Sequence, residues 1–136
     1  MKYIIVVFIA IFLMNCNGAI KNKESIEVYY IRDGVNYPID INCEAIRDKG
    51  FDEIREELLI NDPDFISKFK IQYRKLRPSN SNKTFNVKMQ VITHFDKKSD
   101  TICIGKFNQI SINGKNANDS NELILLIKNK ISKIPN

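Results

Sequence analysis

An α+β domain built on a small antiparallel sheet is the fold class this sequence predicts, and three observations predict it. Residues 84–95, TFNVKMQVITHF, alternate apolar and polar side chains, the period of a strand. Asp33-Gly34 and Asn113-Gly114 are dipeptides that accept the positive φ of tight turns between strands. Residues 63–76 and 121–134 instead repeat apolar side chains at spacings of three and four, the period of a helix. Strand and helix patterns in the order β-β-α-α-β-β-(β)-α imply sequence-neighbouring strands paired antiparallel, with the helices on one face. The expectation is four to five strands and about three helices.

The elements follow in order. IEVYYIRDGVNYPIDI, residues 26–41, reads as a hairpin about Asp33-Gly34, with Val35, Tyr37, Ile39 and Ile41 on the core face of its second strand. Pro38 cannot donate a ladder hydrogen bond and places that strand at an edge or ends it early. NCEAIRDKGFDEIREELLI, residues 42–60, sets Cys43, Ile46, Gly50, Ile54 and Leu58 at helical spacing, and Gly50 allows one long helix or two short ones. Asp62-Pro63 opens the next helix, a capping side chain before a proline at the first helical position. It runs through FISKFKIQYRKL, burying Phe65, Ile66, Phe69 and Tyr73 or Leu76, and stops before Pro78.

Residues 78–83, PSNSNK, form a polar loop. The strand beyond it carries Phe85, Val87, Met89, Val91, Thr93 and Phe95 on one face and Asn86, Lys88, Gln90, Ile92 and His94 on the other. Asp96 to Asp100 turns the chain, TICIGKF returns, and QISING adds a short strand ending at Asn113-Gly114. The last helix starts at a capping box, Asp119 with Glu122, and aligns Ile124, Ile127, Ile131 and Ile134 in one stripe.

Ahead of the domain stand Lys2, an apolar run from Tyr3 to Met14, and polar residues from Asn15 onward. Such a run spans roughly 18 Å as a helix, short of the roughly 30 Å of bilayer hydrocarbon. The layout is that of a secretory signal peptide. Leu13, Met14, Asn15 and Cys16 resemble the lipobox of bacterial lipoproteins, in which a leucine three residues before a cysteine ends the signal and the cysteine becomes the lipidated first residue. The resemblance implies a signal peptide over residues 1–15, a lipidated tether over 16–25 that begins at an acylated, palmitate-bearing Cys16, and one domain over 26–136. It also implies a membrane-anchored place in the cell envelope, periplasmic or surface. Asn15 stands where the lipobox carries Gly, Ala or Ser, and ordinary cleavage after Ala19 would instead give a secreted chain.

Removal of the first 15 of 136 residues leaves a length that suits one core. It also takes one lysine from a formal net charge of +5. With Cys16 lipidated, Cys43 and Cys103 remain as an even pair in a compartment that tolerates disulfides. They are either bonded, which requires Cα atoms within about 7 Å, or packed as small hydrophobes.

Catalytic hardware is sparse. One histidine excludes HExxH zinc sites, and there is no GxSxG, GxxxxGK[ST] or GxGxxG. An acid–base site would have to pair His94 with Asp96 or Asp100. Asp48, Asp52, Glu53, Glu56 and Glu57 lack the DxDxDG pattern of calcium loops and read as a solvated helix face. The basic residues 68–77 and 128–133 fall near helix C-termini, where each cation is favourable by about 0.3–1 kcal/mol, and an exported protein meets little nucleic acid. With a lipid chain such patches suit an anionic membrane surface. The reading is a non-enzymatic, lipid-anchored envelope protein without a cofactor. It binds a protein partner, with inhibition or immunity as a special case, through Asn86, Lys88, Gln90 and His94. The alternative is a small envelope enzyme working through His94 and its neighbouring aspartates.

Overall fold

The computed structural model describes residues 23–134 apart from Asn36 and Pro38. The signal peptide, the lipobox with Cys16 and the edge role expected of Pro38 lie outside the described residues. Eight regular elements follow: β1 (Ser25–Ile31), β2 (Arg55–Ile60), α1 (Pro63–Tyr73), β3 (Val87–Phe95), β4 (Lys98–Gly105), β5 (Ile110–Ile112), β6 (Lys115–Ala117) and α2 (Asn121–Ile131). The class is α+β, with a six-stranded antiparallel sheet in the order β2-β1-β3-β4-β5-β6 and two α-helices.

Both helices lie on one face because both carry apolar stripes. Phe65, Ile66 and Phe69 of α1 and Leu123, Ile124 and Ile127 of α2 pack on Ile26, Val28, Val91, Ile102 and Ile104 of the sheet. The Asp62 carboxylate accepts from the backbone N–H groups of Asp64 and Phe65, and Pro63 follows at the first helical position. Helix α1 ends at Tyr73, yet the turn beyond it still buries Leu76. The cap of α2 is Ser120, whose hydroxyl accepts from Leu123 N–H, and not the expected Asp119.

Two expectations fail in the first half. Asp33-Gly34 does turn, with Gly34 at φ 82°, but the described residues between 35 and 41 make no second strand. They cross the other sheet face, where Ile41 O accepts from Val87 N–H at 2.8 Å and Asn86 Oδ1 accepts from Ile41 N–H at 3.0 Å. Residues 42–60 do not form a helix either. Asn42 Oδ1 accepts from the N–H groups of Glu44 and Ala45, and two 3-10 turns, Ala45–Arg47 and Lys49–Phe51, follow with Asp48 extended between them. Leu58 and Ile60, two apart, then fill the sheet's helix face opposite Val28 and Ile26. Strand pairing satisfies their burial and overrides the helical spacing. The third helix and the 26–41 hairpin thus give way to β2, and β6 completes six strands.

In β3 a register shift between Val87 and Met89 interrupts the ladder to β4. One extra residue on a strand reverses the facing of everything beyond it. Met89, Val91 and Phe95 therefore meet the helices. Val87 and Phe85 join Ile31, Ile41, Ile46 and Cys103 in a second cluster beneath residues 35–54. A disulfide between Cys43 and Cys103, with Cα atoms 5.7 Å apart, clips that segment to the sheet. The turn into β4 is also tighter than expected: Asp96 and Lys97, at φ 47° and 65°, form a two-residue turn and the strand resumes at Lys98.

The two edges of the sheet differ. Beside β6 runs residues 77–79: Ser79 N–H donates to Asn116 O and Asn118 N–H to Arg77 O, both at 2.9 Å, and Pro78 bridges Ala117. Strand β2 pairs only with β1 among the described residues. Arg32 N–H donates to Ile54 O. The alternation of that ladder therefore turns the N–H and C=O groups of Arg55, Glu57 and Leu59 outward.

Candidate functional site

The sheet face away from the helices can be read as rows across the strands. One row runs Glu57, Tyr29, Gln90, Cys103, Ser111; the next runs Leu59, Glu27, Ile92, Thr101; the last runs Ser25, His94, Ser99. The segment 35–54 and its disulfide cover the first row. Tyr29 marks the boundary, with the guanidinium groups of Arg47 and Arg55 each 5.9 Å from its ring centroid. The other two rows lack that cover.

On this uncovered half the side chains form one chain of hydrogen bonds. Tyr29 Oη donates to Glu27 Oε2 at 2.7 Å, Glu27 Oε1 lies 2.8 Å from His94 Nε2, and Ser99 Oγ lies 2.8 Å from His94 Nδ1. A carboxylate only accepts, so Nε2 carries a proton and donates to Glu27, while Nδ1 and the Ser99 hydroxyl share the second hydrogen bond. The Tyr29 hydroxyl is the largest influence holding the Glu27 carboxyl below its ordinary range. Partial burial opposes it, and the bond to His94 adds to it. The same bond and burial push the Tyr29 hydroxyl upward. Beside this chain, at the open edge, Leu59 is 60% exposed.

The residues expected to bind together are divided. Gln90, expected on a solvated face, is 1% exposed, and its amide nitrogen donates to Cys43 O at 2.7 Å. Asn86 is occupied by Ile41. Lys88, at the register shift, reaches back to Asp33 at 2.7 Å. His94 alone of the four belongs to the uncovered rows. The physical reason is twofold: the register shift breaks the alternation at Lys88, and the segment 35–54 covers the surface around Gln90.

His94 does not meet either aspartate expected beside it. Asp100 faces the helices, where its carboxylate accepts from Tyr73 Oη at 2.9 Å and from Asn113 Nδ2 at 2.8 Å. Asp96 is in the exposed turn. The carboxylate and hydroxyl that do meet the imidazole, Glu27 and Ser99, were missed, because only strand register brings residues 27, 94 and 99 together. Their one signal in the sequence is that Glu27 alternates with Ile26 and Val28 and so takes the polar side of β1.

The acidic residues expected on a helix are spread along β2 and the turns before it. Arg55 binds Asp52 at 2.7 Å and Glu57 at 2.8 Å, and Arg32 lies 3.3 Å from Glu56. Among the described residues no three His, Cys, Asp or Glu side chains are arranged to hold a metal ion, and no helix is long and apolar enough to cross a membrane.

Three clefts of the described surface lie elsewhere. A groove of about 730 Å³ runs along Cys43 and residues 78–85 to β6, and a cleft of about 320 Å³ adjoins it at residues 109–119. A third, of about 360 Å³, opens between the C-terminal half of α2 and the ends of β1, β3 and β4. None of the three is lined by His94, Ser99 or Glu27. Comparison with known proteins gives no match: no family model, no curated protein and no solved structure aligns with this chain.

Proposed function

We propose that the chain is an exported, lipid-anchored protein of the cell envelope whose domain recognises a protein partner. The observation that carries the recognition reading is the group of accessible side chains on that half of the sheet face, Leu59, Glu27, His94 and Ser99, continuous with the edge of β2 that is unpaired among the described residues. Outward backbone groups, an exposed leucine and a polar network form the mixed surface on which a partner strand or loop is held. The disulfide across 60 positions supports export, since such bonds persist in oxidising compartments. The lipobox-like Leu13 to Cys16 supports the anchor.

The test has two arms. Cys16→Ser should abolish lipid labelling and release the domain from membranes. An unlipidated wild-type chain beginning at Ile20 would sink the anchor. Capture from solubilised envelopes by the wild-type chain should be lost with Leu59→Lys and with His94→Ala. Equal capture by both variants would remove this surface from consideration.

A second reading has a specific observation in its favour. Ser99, His94 and Glu27 stand in the hydroxyl–imidazole–carboxylate order of acyl-transfer enzymes. Against it, no cleft described above reaches them. Turnover of an ester that is lost in Ser99→Ala, with the fold intact, would establish the enzyme.

A further inference from the structure

We propose that the third cleft and the β4–β5 loop beside it form a docking face for anionic phospholipid headgroups. This takes from the proposed function only that the chain works beside a membrane, and it does not depend on the lipid anchor. The cleft has an apolar floor, with Met89 and Ile104 of the sheet and Ile131 of α2, and lysines 88, 106 and 128 in its walls. Asp33 is the carboxylate in this lining, and Lys88 neutralises it, binding at 2.7 Å. Lys106 and Lys128 have no carboxylate within ion-pair distance among the described residues.

The neighbouring surface has the composition of a membrane interface. Phe107 follows Lys106 and is 76% exposed, the largest value among the exposed apolar side chains. Asn108, next in the loop, lies 3.5 Å from Asn121 at the start of α2. Four and seven positions on from Asn121 along the exposed side of the helix come Leu125, 56% exposed, and Lys128. Loop and helix thus present two exposed apolar side chains with cations beside them, the arrangement of interfacial anchors. A free phosphate is a poorer occupant, because it would use the cleft alone, where the carbonyl end of α2 opposes any anion, and would gain nothing from the exposed Phe107 and Leu125. A headgroup layer meets the whole face.

The chain contains no tryptophan, so Phe107→Trp in the full chain is a single reporter of this face. Its emission should shift to the blue on phosphatidylglycerol vesicles and stay unshifted on phosphatidylcholine vesicles, even where a lipid anchor holds the protein on both. Lys106→Gln with Lys128→Gln should weaken the response about 25-fold in the anionic lipid required, about fivefold per lysine. Lys68→Gln with Lys75→Gln, exposed on α1 and in the turn that follows it, removes the same charge elsewhere and should change little. No shift on anionic vesicles, an equal shift on neutral ones, or equal loss in the two lysine pairs would overturn the proposal. Suppression by millimolar glycerol phosphate would also overturn it, assigning the cleft to a soluble anion.

Discussion

Replacing Cys43 and Cys103 together by alanine opens the loop that their bond closes across 60 positions. In the chain-entropy account, closing such a loop takes about 4 kcal/mol of freedom from the unfolded chain. That is a large part of the roughly 5–15 kcal/mol that holds a domain folded. At about 4 °C per kcal/mol for a domain of this size, the unfolding midpoint should fall by about 15 °C. The second cluster should loosen first, because Ile41 and Ile46 reach the sheet only through residues 35–54. Thermal unfolding followed by circular dichroism measures the midpoint, and reduction of the wild-type chain should reproduce most of the shift. Hydrogen exchange adds the local check: Val87 N–H, which donates to Ile41 O, should lose protection before the amides of β3 that face β4. A midpoint within about 3 °C of wild type would refute the reasoning, since it would mean the reduced chain is already as confined as the bonded one.

Gln90→Ala should cost about 1–3 kcal/mol in urea unfolding, because Cys43 O loses its buried donor. Glu27→Gln should flatten the acid limb of stability. The Glu27 carboxyl is held below its ordinary value of 4.5, so its contribution is present above that pH and is lost as pH falls below it; an unchanged limb would count against the Tyr29–Glu27–His94 network. Gly105→Ala should destabilise by about 1–3 kcal/mol, because a Cβ there meets the side chains of Gln109 and Phe85, and the ring cannot move without opening the second cluster.

Much of the fold is legible locally. The Asp62-Pro63 start, the apolar stripe of α2 as far as Ile131 and the alternation of 89–95 are each set by near neighbours in sequence, and each appears in the structure; Ile134, expected in the same stripe, falls past the helix end and is exposed. What escapes is set by pairing. Leu58 shares helical spacing with Ile54 and Ile46, and nothing local reveals that it will face Val28 instead. The register shift at Lys88 is equally silent, since Phe85, Val87 and Met89 keep perfect alternation in the sequence. The disulfide is half legible: strand alternation in TICIG sets Cys103 opposite Ile102 and Ile104, and the structure has them in different clusters. What lies over it is the irregular segment 35–54 and not a helix. Of the candidate site, His94 could be named, while Glu27, Ser99 and Leu59 required the register.

The unequal edges of the sheet bear on how far this molecule can assemble. A sheet with two bare edges is a repeating unit: each copy offers a template to the next, and growth has no natural end. Among the described residues, 77–79 occupy one edge and β2 is left to offer. When the β2 of one copy pairs with the β2 of another, each uses up the edge the other had open. However concentrated the copies, pairing of β2 with β2 between them, judged from the described residues, can go no further than two.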